Sequence, residues 1–458
     1  MRLLRKACKE ACLLGQSILK MRDKQKIKIE IPEPVKKILS ILADADEEAY
    51  VVGGCVRDCI MGRTPSDWDI TTSALPEKVK SLFRHTVDTG LEHGTVTVIM
   101  QRQGYEVTTY RLDGKYSDGR HPDSVEFTPS LEEDLKRRDF TINAFAYNDS
   151  DGFVDMFGGL EDLDGKIIRC VGDPDRRFGE DALRIMRAVR FAAKLSFEIE
   201  GNTGAAISRH AEALGKVSME RIRVELEKTL MSDNPSFVNK YAEYGLAPFI
   251  IRDKKMAALC FDKESEKLYD FFRRDNCCDL AVEDDLYKVV RNLRLAAFLK
   301  NLSAEDAGTV LRKLTYDNKT KRVVTGILKY KDANIIPDRR YIKRAMRDIG
   351  DDIFDYVIVF KRAVLASGVQ SGDCRCAEAR DERNLDDIAD IAEEIRANSE
   401  AYKISMLAVN GGDLIEAGVP KGNVIGKALA ELLEMVIDAP ECNEKERLLE
   451  LAGEKFLQ

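Results

Sequence analysis

The chain has 458 residues, of which 44% are hydrophobic and 33% charged, a composition that predicts a folded protein of two to four domains. Its formal net charge of −8 does not by itself indicate a nucleic-acid partner. Eleven cysteines, an odd number without the spacing of a disulfide framework, predict a reducing, cytoplasmic location. The longest apolar runs are far shorter than a membrane span, so we expect no membrane partner.

The first part of the chain alternates helices and strands. Residues 1–44 are an N-terminal extension with a lead-in helix near Val35–Ala45, and residues 45–170 are predicted to form a compact domain with a small mixed sheet. Strands are predicted at Ala49–Val52, Trp68–Thr71, Thr95–Met100 and Tyr105–Tyr110. The last two contain alternating β-branched residues and are joined through Gln101–Gly104, which predicts a hairpin.

Two short segments of this domain have residues suited to phosphates and metal ions. An apolar run ends at Gly53 and Gly54 and is followed by Arg57, so backbone N–H groups and a planar guanidinium can approach a triphosphate closely. Asp67 and Asp69 lie two residues apart in a predicted strand, so their carboxylates point to the same face. Two converging carboxylates suit Mg²⁺ ions that also bind substrate phosphates, which predicts metal-assisted nucleotidyl transfer.

A third carboxylate and an arginine–aspartate segment are further candidates. Glu106, on a neighbouring predicted strand, either completes the metal cage or is a solvent-facing charge at the edge of a hairpin. Arg138 can bind phosphate bidentately, and Asp139 can accept hydrogen bonds from ribose hydroxyls. The alternative is that Asp139 caps a helix N-terminus beside solvated arginines.

Helical periodicity dominates from residue 172 to the end of the chain. Helices are predicted at Glu180–Leu195, Met219–Met231, Asp284–Lys300, Asp306–Leu314, Thr320–Lys329, Arg340–Ser367, Leu385–Glu400 and Lys427–Val436. Residues 368–381, polar and with several glycines and charges, are a predicted linker. Between Arg312 and Arg347 there are twelve Lys/Arg and three Asp, an excess that favours a polyanion site.

The predicted helix at Glu180–Leu195 contains a second charged arrangement. Steps of three place Asp181 beside Arg184 and Arg187 beside Arg190, which is ordinarily the pattern of a salt-bridged helix surface. The functional alternative is base recognition, because a carboxylate accepts from an exocyclic amine while a guanidinium donates to ring acceptors. Cytosine and adenine present an amine beside an acceptor, as guanine and uracil do not, so one Asp/Arg pair can select C and A.

Together these segments resemble the class II tRNA nucleotidyltransferases, the CCA-adding enzymes, within the DNA polymerase β-like nucleotidyltransferase superfamily. The matching residues are Gly53–Asp58, Asp67–Asp69, Arg137–Ala144 and Glu180–Arg184, with Arg187 and Arg190. The agreement is strong over about residues 45–235 and weaker in Leu293–Ala297 and in the glycine pattern after Gly412. Four ordered motifs at compatible spacing are far more specific than one glycine-rich loop.

The resemblance implies an α+β nucleotidyltransferase head, with a small mixed sheet and helices, followed by an all-α neck, body and tail in an elongated multidomain protein. The corresponding ranges are 45–170 for the head, 171–235 for the neck, 236–367 for the body and 382–458 for the tail. The body and tail would bind tRNA. The polar loop at 113–128 would help the enzyme switch from C to A addition.

The resemblance also implies roles for individual side chains. The residues implied in nucleotide binding are Gly54, Arg57, Arg138, Asp139, Asp181, Arg184, Arg187 and Arg190. Among them Asp181 and Arg184 would act as a protein template for C and A. Asp67 and Asp69 would carry Mg²⁺, and Glu106 is the candidate third catalytic carboxylate.

The reaction predicted in this way is sequential transfer of CMP, CMP and AMP from CTP and ATP to the 3′ end of tRNA, with release of pyrophosphate. A bacterial poly(A) polymerase shares the head motifs but commonly carries a long basic tail, whereas Glu444–Gln458 is near-neutral. Relatives that add only CC or only A stay open. A catalytically inactive RNA-binding protein is disfavoured by the intact Asp67 and Asp69 pair, because binding alone needs no metal cage.

Overall fold

A computed structural model describes residues 27–113, 125–253, 260, 265–272, 285–367 and 375–456. The chain forms two compact units, Met1–Ala257 and Ala258–Gln458. Residues 1–26 and 114–124 lie outside the described residues, and with them most of the loop predicted to assist the switch from C to A addition. None of the described helices combines the length and the apolar character that a membrane crossing requires.

Within the described part of the first unit, seven of the strands form one mixed sheet. The strands are β1 (Ala49–Val52), β2 (Ile70–Thr72), β3 (Thr86–Gly90), β4 (Thr95–Met100), β5 (Gln103–Thr109), β6 (Arg111–Asp113), β7 (Val125–Phe127), β8 (Phe145–Asn148), β9 (Gly152–Asp155), β10 (Ile167–Ile168) and β11 (Glu198–Ile199). The sheet has the spatial order β3-β4-β5-β2-β1-β8-β9, while β6 pairs with β7. The predicted mixed sheet is confirmed.

The pairing of β2 brings two carboxylate-bearing segments together. β2 runs antiparallel to β1 and parallel to β5, and Ile70 lies opposite Val107. The residues before these two are Asp69 and Glu106, so parallel pairing in register places their side chains on the same face of the sheet.

The predicted hairpin is confirmed between β4 and β5. Met100 pairs with Gln103, and the two residues between them, Gln101 and Arg102, have φ values of 51° and 67°. Positive φ at both central positions is the geometry of the tight turn whose twist matches that of paired strands.

The helices of the first unit follow and flank the sheet. They are α1 (Glu33–Ala43), α2 (Gly54–Ile60), α3 (Pro76–Leu82), α4 (Leu131–Lys136), α5 (Gly159–Asp164), α6 (Pro174–Glu180), α7 (Leu183–Leu195), α8 (Gly201–Arg209), α9 (Met219–Leu230), α10 (Lys240–Glu243) and α11 (Ala247–Ile251). The single helix predicted at Glu180–Leu195 is wrong in one respect. The backbone is extended at Asp181 (φ −139°, ψ 106°), so α6 ends before it and α7 begins after it.

The described part of the second unit is helical, as predicted. Its helices are α12 (Ser265–Phe271), α13 (Leu286–Phe298), α14 (Ala304–Lys313), α15 (Asn318–Tyr330), α16 (Arg339–Ile349), α17 (Asp351–Ala366), α18 (Arg375–Ala397), α19 (Gly411–Glu416), α20 (Asn423–Asp438) and α21 (Lys445–Phe456). Two predictions need correction. Gly350 (φ 94°) divides the predicted helix Arg340–Ser367 into α16 and α17, and α18 begins at Arg375, inside the predicted linker.

The basic stretch Arg312–Arg347 is partly neutralised inside the second unit. Cations of this stretch form the ion pairs Arg322–Asp352, Lys331–Asp332, Arg339–Glu394, Arg339–Glu400, Lys343–Glu400, Arg344–Glu434, Arg344–Asp438 and Arg347–Glu434. Arg344 and Arg347 in this way tie α16 to α20. The excess of positive charge available to a polyanion is therefore smaller than the sequence indicates.

Candidate active site

The turn after β1 brings backbone and guanidinium together. Gly53 has φ +80°, a conformation that favours glycine, and a Cβ on it would lie 2.9 Å from Nη1 of Arg138. Within the described part of the chain, Nε of Arg138 is buried without a hydrogen-bond partner, and the nearest carboxylate oxygen, on Asp134, is 3.6 Å from Nη2. Arg138 therefore lies against the turn with donors available for an anionic group.

Asp67 and Asp69 lie directly before β2 and not within it, which corrects the predicted strand Trp68–Thr71. The carbonyl of Asp69 still accepts from the N–H of Val52 (3.0 Å), so the segment is held beside β1. Both side chains are exposed, and Ser66 Oγ donates to Asp67 (2.6 Å). Although the carboxylate of Asp69 reaches solvent, the surrounding protein desolvates it and raises its pKa; the charge of Asp67 adds to the rise, and Arg138 opposes it.

The carboxylates of Asp67 and Asp69 suit a hard divalent cation. A cation would relieve the repulsion between Asp67 and Asp69, and Mg²⁺ is commonly held by one or two carboxylates together with substrate phosphates. The charge of Glu106 also raises the pKa of Asp69, so the third carboxylate is nearby. Among the described residues, however, no three His, Cys, Asp or Glu side chains form a ready metal cage. The role of Glu106 as a third ligand stays a prediction.

Arg57, predicted to hold the nucleotide, is an interior side chain of α2 with 3% exposure. Its Nε and Nη2 donate to Asp58 (2.9 and 2.8 Å), and Nη1 donates to Oδ1 of Asn143. Its guanidinium also lies 5.4 Å from the ring centroid of Phe191 on α7. In this arrangement Arg57 joins the glycine turn to the neighbouring segments of the fold.

Asp139 is also buried, with 8% exposure, and its carboxylate is fully engaged. One oxygen accepts from the N–H of Phe140 (2.9 Å) and from Nδ2 of Asn143 (3.1 Å), and the other from Nε of Arg187 (2.8 Å). Burial opposes ionisation, yet Arg187 and the hydrogen bond from Asn143 lower the pKa of Asp139 to about 2. The structure thus places Asp139 in an ion pair with α7 and not at a helix cap.

This ion pair predicts a stability change at low pH. The pKa of Asp139 falls from 3.8 to about 2 on folding, so its contribution is complete above about pH 4 and is lost as the pH falls towards 2. The expected size is about 2 kcal/mol of unfolding free energy. Asp139→Asn should be less stable at pH 7 but lose less stability on acidification, measured by denaturant unfolding. Equal losses in the two proteins would contradict this assignment.

The predicted base-reading pair lies where α6 meets α7. Asp181 accepts from Nη2 of Arg221 (2.8 Å), while Arg184 donates from Nη1 to Glu180 (2.6 Å) and from Nη2 to the carbonyl of Arg137 (3.1 Å). The expected pairing of Asp181 with Arg184 along one helix is therefore wrong, because Asp181 precedes α7 and its other oxygen caps that helix through the N–H of Leu183 (2.9 Å). Both side chains nevertheless remain at one junction.

The last predicted nucleotide ligand, Arg190, has 9% exposure and donates from Nε to Glu225 on α9 (2.6 Å). Its guanidinium lies 3.9 Å from the ring centroid of Phe191. Arg187, in contrast, is partly exposed beside Asp139.

Several contact residues of the site are not predicted from the sequence. Asn143 is inside the Arg137–Ala144 segment, but nothing in that segment indicates that it links Arg57 to Asp139. Arg221 and Glu225 lie some 40 and 35 residues along the chain from their partners, and no local pattern announces such contacts.

Family models match three stretches of the chain. Residues 49–169 match the Poly A polymerase head domain, and residues 196–257 match a probable RNA and SrmB-binding site of polymerase A. Residues 291–452 match tRNA nucleotidyltransferase domain 2 (putative). Nucleotidyltransferases of this kind use a divalent metal ion.

Relatives match either nearly the whole chain or just under half of it. The CCA-adding enzyme of Limosilactobacillus fermentum is 38% identical over 92% of this chain and 96% of its own length. That of Leuconostoc mesenteroides is 55% identical over 43% of this chain and 50% of its own. The Bacillus stearothermophilus CCA-adding enzyme in complex with CTP matches with a TM-score of 0.71 and 32% identity, covering 93% of this chain and 98% of that one. The chain therefore belongs to the CCA-adding enzyme family.

Proposed function

We propose that this chain adds C, C and A to the 3′ end of tRNA from CTP and ATP and releases pyrophosphate. The observation that carries the proposal is one continuous site in the first unit. Asp67 and Asp69 precede β2, the charge of Arg138 acts on Asp69, and Arg184 is hydrogen-bonded to the carbonyl of Arg137. The segment Arg137–Arg138 thereby links the proposed metal carboxylates and the proposed phosphate-binding cation to the proposed base-reading side chain.

The triphosphate would lie against the glycine turn, where Gly54 begins α2 and Arg138 has donors available. Asp67 and Asp69 would hold Mg²⁺, which when bound polarises the α-phosphate and neutralises the leaving pyrophosphate. In the reaction the 3′-hydroxyl oxygen of the RNA forms a bond to the α-phosphorus, and the bond to pyrophosphate breaks. The protein's part is mainly positioning and charge compensation.

Base choice would come from Asp181 and Arg184. The carboxylate would accept from the exocyclic amine of C or A, and the guanidinium would donate to the ring acceptor beside it. Arg221 and Glu180 satisfy the two side chains when no base is present. A base that presents the wrong edge would displace these partners without replacing their hydrogen bonds, and that penalty is the source of selectivity.

For the remaining predicted ligands, the contacts favour a positioning role. Arg57, Asp139 and Arg190 are buried in ion pairs, so we propose that they fix the nucleotide-binding segments. Partly exposed Arg187 stays a candidate for direct contact with the nucleotide.

We propose that the head is residues 45–170 and the neck 171–235, with tRNA bound by the body (236–367) and the tail (382–458). The RNA-binding and tRNA nucleotidyltransferase descriptions of the matching family models support this assignment. The cysteine content supports a cytoplasmic location.

The direct test uses a tRNA that lacks its last three nucleotides, incubated with CTP, with ATP, or with both. We expect two added residues with CTP, none with ATP, and three followed by a halt with both, resolved as product lengths. A long A tail with ATP would indicate a poly(A) polymerase, and a halt after two residues with both nucleotides would indicate a CC-only enzyme. No product, with binding of tRNA retained, would indicate an inactive RNA-binding relative.

A further inference from the structure

One aromatic ring of α7 lies among guanidinium groups from two different elements. Phe191 is 6% exposed, and its ring centroid is 5.4 Å from Cζ of Arg57, 5.3 Å from Cζ of Arg187 and 3.9 Å from Cζ of Arg190. Arg57 belongs to α2, which follows the glycine turn, whereas the other two arginines belong to the helix that begins beside Asp181. The ring is therefore a shared contact of the phosphate-binding and base-reading segments.

Each positive charge around the Phe191 ring is neutralised by a separate carboxylate. Each guanidinium pairs with a different carboxylate, in the pairs Arg57–Asp58, Arg187–Asp139 and Arg190–Glu225. No two of these arginines share an acid; Asn143 links Arg57 to Asp139, the partner of Arg187, whereas Arg190 pairs with Glu225 on α9. The element that all three contact is the Phe191 ring.

A second ring holds Phe191 from the segment that carries Asp139. Phe140 meets it edge-on, with centroids 5.7 Å apart and an interplanar angle of 76°. An edge-on contact of this kind is favourable for aromatic quadrupoles. Through Phe140 the ring also contacts the Arg137–Ala144 segment. This segment contains Arg138, and the carbonyl of its first residue, Arg137, accepts a hydrogen bond from Arg184.

An aromatic ring suits this position better than an aliphatic side chain of similar volume. The faces of the ring carry negative potential and attract guanidinium groups, and this attraction is strongest where water is excluded. Leucine would fill much of the volume but would not attract the three guanidinium groups, which would keep only their separate polar partners. The arginines would then move apart, and the segments to which they belong would move with them.

We propose that Phe191 is a positioning residue for base selectivity: its ring fixes the glycine-turn helix α2 relative to the base-reading helix α7. This inference rests on the proposed function, because it assigns a source for the selectivity of that reaction. Arg187 lies one helical turn after Arg184, so a shift of the arginines around the ring is transmitted directly to a predicted template residue.

The test compares Phe191→Leu with Phe197→Leu in the full chain. Phe197 is 3% exposed in the same unit, and within the described residues no guanidinium lies over its ring, so it matches the loss of buried volume without the arginine contacts. The readouts are the kcat/KM ratio for CTP over UTP on tRNA lacking its CCA end, and the thermal midpoint.

We expect Phe191→Leu to lower the CTP-over-UTP ratio by about tenfold, whereas Phe197→Leu loses stability but keeps the parent ratio. Phe191→Tyr, which retains an aromatic ring, should keep the CTP-over-UTP ratio of the parent. An unchanged ratio in Phe191→Leu would overturn the proposal, and so would an equal fall in Phe197→Leu.

A second series keeps the shape of the ring and removes its attraction for cations. Phenylalanine at position 191 is replaced by analogues with increasing fluorine content, which weakens and then reverses the potential of the ring face. The ratio should fall step by step along the series, and a constant ratio would overturn the proposal even if Phe191→Leu does not fold. The parent chain is assayed first. If it adds no C, the proposed function itself fails; if it adds C, the variants test Phe191 alone.

Discussion

Replacing Asp67 or Asp69 by alanine is expected to lower nucleotidyl transfer by about a thousandfold or more while the fold stays intact. The expected loss is large because these carboxylates are the proposed ligands of the metal ion that offsets charge on the reacting phosphates. The fold should survive because both side chains are exposed. Single-turnover addition of CMP to tRNA lacking its CCA end measures the effect.

Thermal stability distinguishes a metal-binding role of Asp67 and Asp69 from a structural role. Because the pKa of Asp69 is raised in the folded state, its ionised form disfavours folding at neutral pH, so Asp69→Asn should unfold at an equal or higher temperature. Mg²⁺ should stabilise the parent and not the variants, since a ligand stabilises only the protein that binds it.

The matched control for this experiment is Asp88→Ala. Asp88 is an exposed acid on β3 of the same sheet, paired with Lys80 (2.8 Å), and its removal should leave transfer unchanged. Transfer at the parent rate by Asp67→Ala or Asp69→Ala would contradict the metal assignment.

Replacing Arg184 by alanine is expected to reduce the preference for C over U by about a hundredfold. The guanidinium is the proposed donor to the ring acceptor of the base, and without it the site no longer penalises the wrong edge. Folding should be preserved, because Glu180 keeps Arg176 and Arg177 as partners. The measurement is the ratio of kcat/KM for CTP and UTP.

Arg176→Ala is the control for the loss of Arg184. It removes an exposed guanidinium that pairs with the same Glu180 (3.1 Å), four residues earlier on α6, without touching the junction that holds Asp181. Base choice should stay at the parent value in this variant. An unchanged preference in Arg184→Ala would contradict the template role.

The local parts of the fold follow from sequence periodicity and turn chemistry. β1 and β4 have the predicted bounds, and the hairpin after Met100 lies where the alternating pattern places it. The long helices of the second unit also follow their apolar periodicity, for example Asn318–Tyr330 against a predicted Thr320–Lys329. These elements are fixed by neighbours in sequence, so the sequence alone locates them.

The errors occur where a distant partner decides the local structure. Asp181 interrupts the predicted helix because its side chain caps α7 and accepts from Arg221, which is 40 residues away. Gly350 divides another predicted helix through a positive φ that periodicity does not reveal. The residue types of the candidate site could be predicted, but not which of them would be open to a ligand.

The arginines illustrate this limit most clearly. Arg57, Arg138 and Arg190 are all predicted nucleotide ligands, yet the fold buries two of them in ion pairs and leaves Arg138 with a buried Nε that has no partner among the described residues. Burial and pairing depend on α7 and α9 packing against the head segments, which no local pattern encodes.

The most direct test of the account is the sequence of the 3′ ends produced when all four nucleoside triphosphates are offered together to tRNA lacking its CCA end. The proposed base-reading junction lies in the same unit as the proposed metal carboxylates, so the account predicts that the added sequence is C, C, A and that extension then halts. Incorporation of U or G at a comparable rate, or continued addition of A, would contradict it.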